Sequence, residues 1–305
     1  MSTAASAAAP PAFLARERGR VDRALATIAG EAVAGARTPL VEAIGYALET
    51  PGKRIRPILC VLAYRAAGGV DRGPVYRLAC SLELIHTYSL IHDDLPCMDD
   101  DDMRRGRATL HRMYGASLAV LAGASLIPLG FSVLDRSARE LRLGAGDRTL
   151  LAATLAGAAG AGGMVAGQLL DLEAEGREVD AAGLERIHRA KTGSLLAAAL
   201  RMGALASGAD ERRQGALASY GRHFGLAFQI TDDLLDVEGN SAELGKRARR
   251  DQALAKATYP ALFGVAGARR RAEEHSAGAV AALRGAGMSS PQLEALAEYV
   301  IRRRS

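Results

Sequence analysis

Leu82-Glu83-Leu84-Ile85-His86-Thr87-Tyr88-Ser89-Leu90-Ile91-His92-Asp93-Asp94-Leu95-Pro96-Cys97-Met98-Asp99-Asp100-Asp101-Asp102 joins an apolar helical run to six carboxylates within ten residues. Val75, Leu78, Leu82, Ile85 and Ser89 recur at three- and four-residue spacing, the period of one helix face. Asp93 therefore ends a buried helix, which a solvated acidic loop would not require. Carboxylates packed this closely repel one another and need cations. Grouped hard oxygens suit Mg²⁺, which keeps waters and shares its shell with substrate phosphates. Asp93 and Asp99 are six apart, which on a straight helix sets them far apart around the axis. Pro96 lacks a backbone donor, so the Leu95-Pro96 insertion is expected to bulge outward and return Asp99 towards Asp93.

A second cluster, Asp232-Asp233-Leu234-Leu235-Asp236, lies inside the apolar frame Phe224 to Val237. Asp232 and Asp236 share a helix face, about 40° apart around the axis. Like charges at that spacing are unfavourable unless something neutralises them. Two acidic helix faces in one chain point to a metal cluster held between facing helices. Helical period also covers 116–142, 148–173, 181–207, 211–237 and 290–303, and no run of alternating β-branched residues competes with it. The expected fold is all-α, a single domain over residues 13–305 behind a low-complexity tail at 1–12.

Composition agrees. Of 305 residues 49% are apolar, mostly Ala, Leu and Val, with 4% aromatic and no Trp. Lys+Arg 39 against Asp+Glu 34 leaves only +5, too balanced for a protein whose charge serves nucleic acid. Arg302-Arg303-Arg304 reads as a solvated helix end. Cys60, Cys80 and Cys97 have no metal-ligand spacing and read as reduced thiols of a cytoplasmic protein. Neither a signal peptide nor a membrane span is expected.

Bases stand in short motifs that could receive anions. Gly52-Lys53-Arg54-Ile55-Arg56-Pro57 precedes a helix, and bases beside a helix N-terminus suit phosphate. Arg104-Arg105-Gly106 follows the first acidic cluster, where a surface salt network is the plainer reading. Lys191-Thr192-Gly193 starts a helical run, and Lys246 and Lys256 follow the second cluster.

These motifs, with Gly167-Gln168-x-x-Asp171, Phe228-Gln229-x-x-Asp232-Asp233-x-x-Asp236 and Lys256-x-Thr258-Tyr259-Pro260, occur in one order. In them residues 40 to 303 resemble the trans-isoprenyl diphosphate synthases, most closely the bacterial farnesyl diphosphate synthases. The resemblance implies a prenyltransferase helical bundle around a central cavity, a homodimer, and Mg²⁺ held by Asp93, Asp99 and Asp232 with Asp94, Asp233 and Asp236 in support. It implies that Lys53, Arg56, His86 and Arg105 bind isopentenyl diphosphate. Arg104, Lys191, Thr192, Gln229, Lys246 and Lys256 would bind the allylic diphosphate.

The implied reaction ionises the allylic diphosphate and joins its cation to isopentenyl diphosphate. No nucleophilic side chain is needed, and Cys97 is read as a filler. Tyr88, five positions before Asp93 and about 7.5 Å along the axis, with Ser89 beside it, would form the cavity floor that stops growth at the fifteen-carbon farnesyl product. A geranylgeranyl synthase shares every motif and would differ around Tyr88. A non-catalytic partner subunit should have lost an aspartate motif, and a terpene cyclase would have replaced the second one. The chain departs from the family at Ala124, where a carboxylate is usual, at Pro128, expected to kink its helix, and at Ala255.

Overall fold

The computed structural model describes residues 9–32, 38–71, 73–238 and 258–303. Among them thirteen α-helices follow one another: α1 Ala12–Ala32, α2 Pro39–Glu49, α3 Ile55–Ala66, α4 Gly73–Asp93, α5 Leu110–Tyr114, α6 Ala116–Glu140, α7 Ala145–Ala159, α8 Met164–Ala174, α9 Ala181–His188, α10 Ser194–Ala206, α11 Glu211–Glu238, α12 Tyr259–Gly285 and α13 Pro291–Arg302. The all-α expectation holds. Local chemistry sets several of the starts. The side chains of Thr38, Asp180, Thr258 and Ser290 each accept a hydrogen bond from an N–H of the first turn, and Pro39, Pro260 and Pro291 stand where a missing donor does no harm.

α4 is the central element. Val75, Leu78, Leu82, Leu84, Ile85 and Ile91 leave it on several sides into one core that extends from Leu14 to Val300. It packs on α6, α3 and α1, while α10 packs on α3, α7 and α11. A smaller core of Leu184, Ile230, Leu234, Tyr259, Ala268 and Ala272 joins α9, α11 and α12 beneath the second acidic cluster.

Four differences from the sequence reading concern which elements form and where they break. The expected helix over 148–173 is two helices, because Gly160 and Gly163 leave helical geometry. The one over 181–207 is interrupted by a π-helical turn, Arg189–Gly193. The long α12 was not expected; its run of Arg269, Arg270 and Arg271 dilutes the apolar period, and Gly264 breaks its geometry (φ 68°). Met103–Arg104 and Arg107–Ala108 form a two-stranded antiparallel ribbon. Its turn residues Arg105 and Gly106 both have positive φ (53° and 76°), the geometry of a tight two-residue hairpin.

α6 runs unbroken through Pro128. The carbonyl that Pro128 frees belongs to Ala124, an exposed residue, where water can satisfy it. By length and composition, two stretches are apolar enough to cross a membrane, Ala116–Glu140 and Ala145–Ala174. The first buries Ala119, Ala122, Leu126 and Leu134 in the core, and the second contains the break between α7 and α8.

Candidate active site

A cavity of about 410 Å³ opens beside the end of α4. Arg56, His86, Asp93 and Lys191 supply its charged and polar rim, and Tyr88, Met164, Leu169 and Leu172 its apolar wall. Gln168, Thr192 and Ser89 also line it.

The first acidic motif closes on itself as the proline requires. The Asp99 N–H donates to the Asp93 carbonyl at 2.8 Å, and the N–H groups of Met98 and Asp100 donate to the Leu95 carbonyl. The extruded loop thus returns Asp99 to Asp93. Burial pushes the Asp93 carboxyl up to about 6; Lys191 opposes this and Asp99 adds to it. Asp94 is buried (4% exposed) and turned to Arg104, whose Nε donates to it at 2.6 Å. Arg104 also reaches Asp101 at 3.3 Å. Burial disfavours the Arg104 charge, but the bond and charge of Asp94 outweigh it and raise its pKa.

The basic loop before α3 faces these acids. Burial lowers the Arg56 pKa to about 10, with Glu83 opposing and Arg105 adding. Burial, then Arg56 and Arg105, hold His86 well below the ordinary imidazole value, so it is neutral at neutral pH. Arg56 Nε and His86 Nδ1 are buried without a partner. Burial and the nearby Arg303 lower Lys53, while Asp232 and Asp236 raise it. Arg105 donates to the Pro51 carbonyl at 2.9 Å, which ties the ribbon turn to the same loop.

Lys191 stands on the π-helical turn, a feature frequent at functional sites. Its ammonium meets Asp171 of α8 at 2.5 Å. Burial lowers its pKa, but Asp171, Asp93 and Asp99 together raise it. Gly167 lets α8 approach the turn: a Cβ there would lie 2.1 Å from the Lys191 backbone nitrogen. The glycine and aspartate of Gly167-Gln168-x-x-Asp171 thus clamp α8 to the turn.

A polyprenyl synthetase family profile matches residues 37–284. The chain belongs to the polyprenyl synthetase family. It is 45% identical over 264 residues to a farnesyl diphosphate synthase of Geobacillus stearothermophilus, covering 87% of this chain and 88% of the relative. It is 46% identical over 270 residues to one of Escherichia coli K12, covering 87% and 90%. A crystal structure of an apo FPP/GFPP synthase from Zymomonas mobilis superposes with a TM-score of 0.82 at 35% identity, over 94% of this chain and 99% of that one.

The second acidic motif of this polyprenyl synthetase is arranged less simply. Asp232 is paired with Arg303, 2.7 Å away. That arginine is buried (6% exposed), donates to the Phe228 carbonyl at 3.3 Å and lies 4.2 Å above the Phe228 ring. The reading of Arg303 as a solvated helix end is therefore wrong. The turn after α13 folds it onto α11, and nothing local to the sequence signals that. Burial raises the Asp232 pKa and Arg303 opposes. Asp233 is buried, accepts the Tyr259 N–H at 2.9 Å and lies 3.5 Å from His188 Nε2, so it anchors the start of α12. His188 also holds Gln229, with Nδ1 and Nε2 3.1 Å apart. Asp236 acts on Lys53 through its charge. Lys246 and Lys256 lie outside the described residues.

Among the described residues no three carboxylate, imidazole or thiol groups converge into a set able to enclose a metal ion. Asp93, Asp99 and Asp232 do not form a cage of protein atoms. The donor chemistry nevertheless fits Mg²⁺, which takes one or two carboxylates and completes its shell with water and phosphate. The backbone bond between Asp99 and Asp93 brings two such residues together.

Proposed function

We propose that the protein is a Mg²⁺-dependent prenyltransferase that condenses isopentenyl diphosphate head-to-tail with dimethylallyl and then geranyl diphosphate to give (2E,6E)-farnesyl diphosphate. The observation that carries this is the cavity: an apolar wall with Arg56, His86 and Lys191 set beside Asp93 in its lining. That arrangement suits an amphiphile with a diphosphate head and a hydrocarbon tail. The curated relatives that bear the farnesyl name agree with it.

Bound Mg²⁺ would be held by Asp93 and Asp99 on one side and Asp232 on the other, and would neutralise the departing diphosphate. The chain's own residues do the rest. Lys191, Thr192 and Arg104 receive the allylic diphosphate. Lys53, Arg56 and Arg105 receive isopentenyl diphosphate. Neutral His86 offers a hydrogen bond there without adding charge. The apolar wall excludes water from the allylic cation, which would otherwise be quenched. Charge stabilisation of the leaving group is the largest contribution such a site makes. No protein base is assigned, since the released diphosphate accepts the proton. Tyr88 limits growth: it is 8% exposed, packs edge-on to His92 at 5.6 Å and points its hydroxyl towards the Ala159 carbonyl.

We take residues 13–305 as one catalytic unit, supported by a core continuous from Leu14 to Val300. The protein acts as a homodimer in the cytoplasm. The exposed apolar side chains Val120, Leu121 and Leu150 of α6 and α7 support a second copy over that face, and the unpaired cysteines support a reducing compartment. Incubation with isopentenyl diphosphate, each allylic diphosphate and Mg²⁺, followed by sizing of the products, tests the reading. A fifteen-carbon product is expected. A twenty-carbon product would move the assignment to geranylgeranyl synthesis, and absence of condensation would overturn it.

A further inference from the structure

Gln168 lines the cavity, and neither the metal nor a diphosphate gives it work. It is 9% exposed, and both its Oε1 and its Nε2 are buried without a hydrogen-bond partner. An amide left so is unfavourable in a folded protein and calls for an explanation. Its neighbours on the cavity wall, Met164, Val165, Leu169 and Leu172, are apolar, so a leucine would suit position 168 better if packing were its purpose. Its place is also rigid. Gly167, next to it, abuts the Lys191 backbone, and Asp171, one turn on, holds the Lys191 ammonium at 2.5 Å. The amide is therefore fixed to the turn that carries Lys191 and Thr192, both of which line the same cavity.

We propose that Gln168 is a catalytic residue that stabilises the allylic cation. This rests on the prenyl-transfer reading above. In that reaction the C1–O bond of the allylic diphosphate breaks and its electron pair leaves with the diphosphate. The π pair of isopentenyl diphosphate forms the new bond to C1. The resulting tertiary cation loses a neighbouring proton to the diphosphate, and that C–H pair becomes the new double bond. Charge separates along the bond that breaks, positive on the allyl group and negative on the leaving group. An amide suits that separation: its oxygen faces the cation while its NH₂ faces the diphosphate. It neither accepts a proton nor forms a bond, whereas a carboxylate could capture the cation. Fixed dipoles aimed at developing charge need no reorganisation during the step.

The test uses the full-length protein with Mg²⁺, geranyl diphosphate and isopentenyl diphosphate. Gln168→Leu removes the dipole and keeps most of the bulk. Gln168→Met repeats the removal with an unbranched chain. Both should lower kcat by roughly 100-fold, the scale of losing one preorganised dipole, with the KM for isopentenyl diphosphate within about twofold of the parent's. Release of diphosphate from geranyl diphosphate alone, which reports ionisation without condensation, should fall by the same factor. The thermal midpoint should stay level or rise, because an unpaired buried amide has gone. Turnover within threefold of the parent in either variant, or a loss confined to KM, refutes the proposal. A lowered thermal midpoint in both variants makes Gln168 a structural residue and refutes it too. Lack of product from the unsubstituted protein refutes the prenyl-transfer reading and this inference with it.

Discussion

Replacing Arg54 and Glu83, singly and together, would measure what holds the basic loop before α3 in place. Arg54 is in the left-handed region (φ 50°) just before α3, a conformation that favours glycine. Its guanidinium explains why an arginine is there. Nη1 donates to Glu83 of α4 at 2.8 Å, Nε to Asp22 of α1 at 2.9 Å, and Nη2 to the carbonyls of Leu48 and Thr50 at 3.4 and 2.9 Å. The Arg54 and Glu83 side chains are 6% and 3% exposed. Removing one partner of a pair this buried strands the other charge, at a cost of about 3–5 kcal/mol. Arg54→Met and Glu83→Leu should each lose stability on that scale. The double variant should lose clearly less than the two losses combined, with a coupling of about 2 kcal/mol or more. Urea unfolding of the metal-free protein at neutral pH gives the three values from the midpoint and slope. Lys53 and Arg56 flank Arg54, and Arg105 is tied to Pro51 of the same loop. The double variant, where it folds, should therefore raise the KM for isopentenyl diphosphate more than that for the allylic substrate. Single losses under about 1 kcal/mol, or additive effects, would mean that the pair is solvated and that the loop is held by something else.

Three further outcomes are expected. Tyr88→Ala enlarges the cavity that Tyr88 lines and, if Tyr88 is its floor, should shift the product to twenty carbons or more; an unchanged chromatographic profile would remove Tyr88 from that role. Burial depresses the His86 pKa, so below pH 6.5 the unfolded chain binds a proton that the folded one refuses. Stability should then fall as pH drops through 6.5, and His86→Gln should flatten that fall in denaturant titrations made at pH 7.5 and 5.5; identical pH slopes would contradict it. Arg303→Met takes the charged partner from Asp232 and should destabilise the metal-free protein by about 1–3 kcal/mol. Freed of its arginine, Asp232 should give a larger Mg²⁺-induced rise in melting temperature than the parent shows, and an equal or smaller rise would refute competition between Arg303 and the metal.

What the sequence revealed of the site is what depends on near neighbours. The fold of Asp99 back to Asp93 follows from Pro96, because a residue without an N–H in a helical frame forces a local exit. The helical class follows from period. The site residues that were misplaced depend on distant partners. Asp233 and Asp236 look equivalent in a motif, yet the core beneath α11 turns Asp233 towards Tyr259 and His188. His188 carries no motif of its own and becomes legible only when α9 and α11 meet. Arg303 looked like a solvated end because its partner is 71 positions away. Gly167 announces a close approach, but not that Lys191 is what approaches.

The same distinction bears on where binding energy arises. Several groups assigned to ligands already have protein partners: Arg104 with Asp94, Lys191 with Asp171, and Asp232 with Arg303. For these, a metal or diphosphate replaces one ion pair by another, and the net gain is the difference between two similar attractions. Arg56 and His86 are different: each buries a nitrogen without a partner, and burial pulls both pKa values down. A diphosphate that meets them relieves an existing penalty instead of trading a bond. On the prenyl-transfer reading proposed above, affinity for isopentenyl diphosphate should therefore be concentrated at Arg56 and His86, while Arg104 and Lys191 should act on the orientation and release of the allylic diphosphate. The near-neutral balance of the chain conceals this, because the paired charges cancel and the unpaired ones do not.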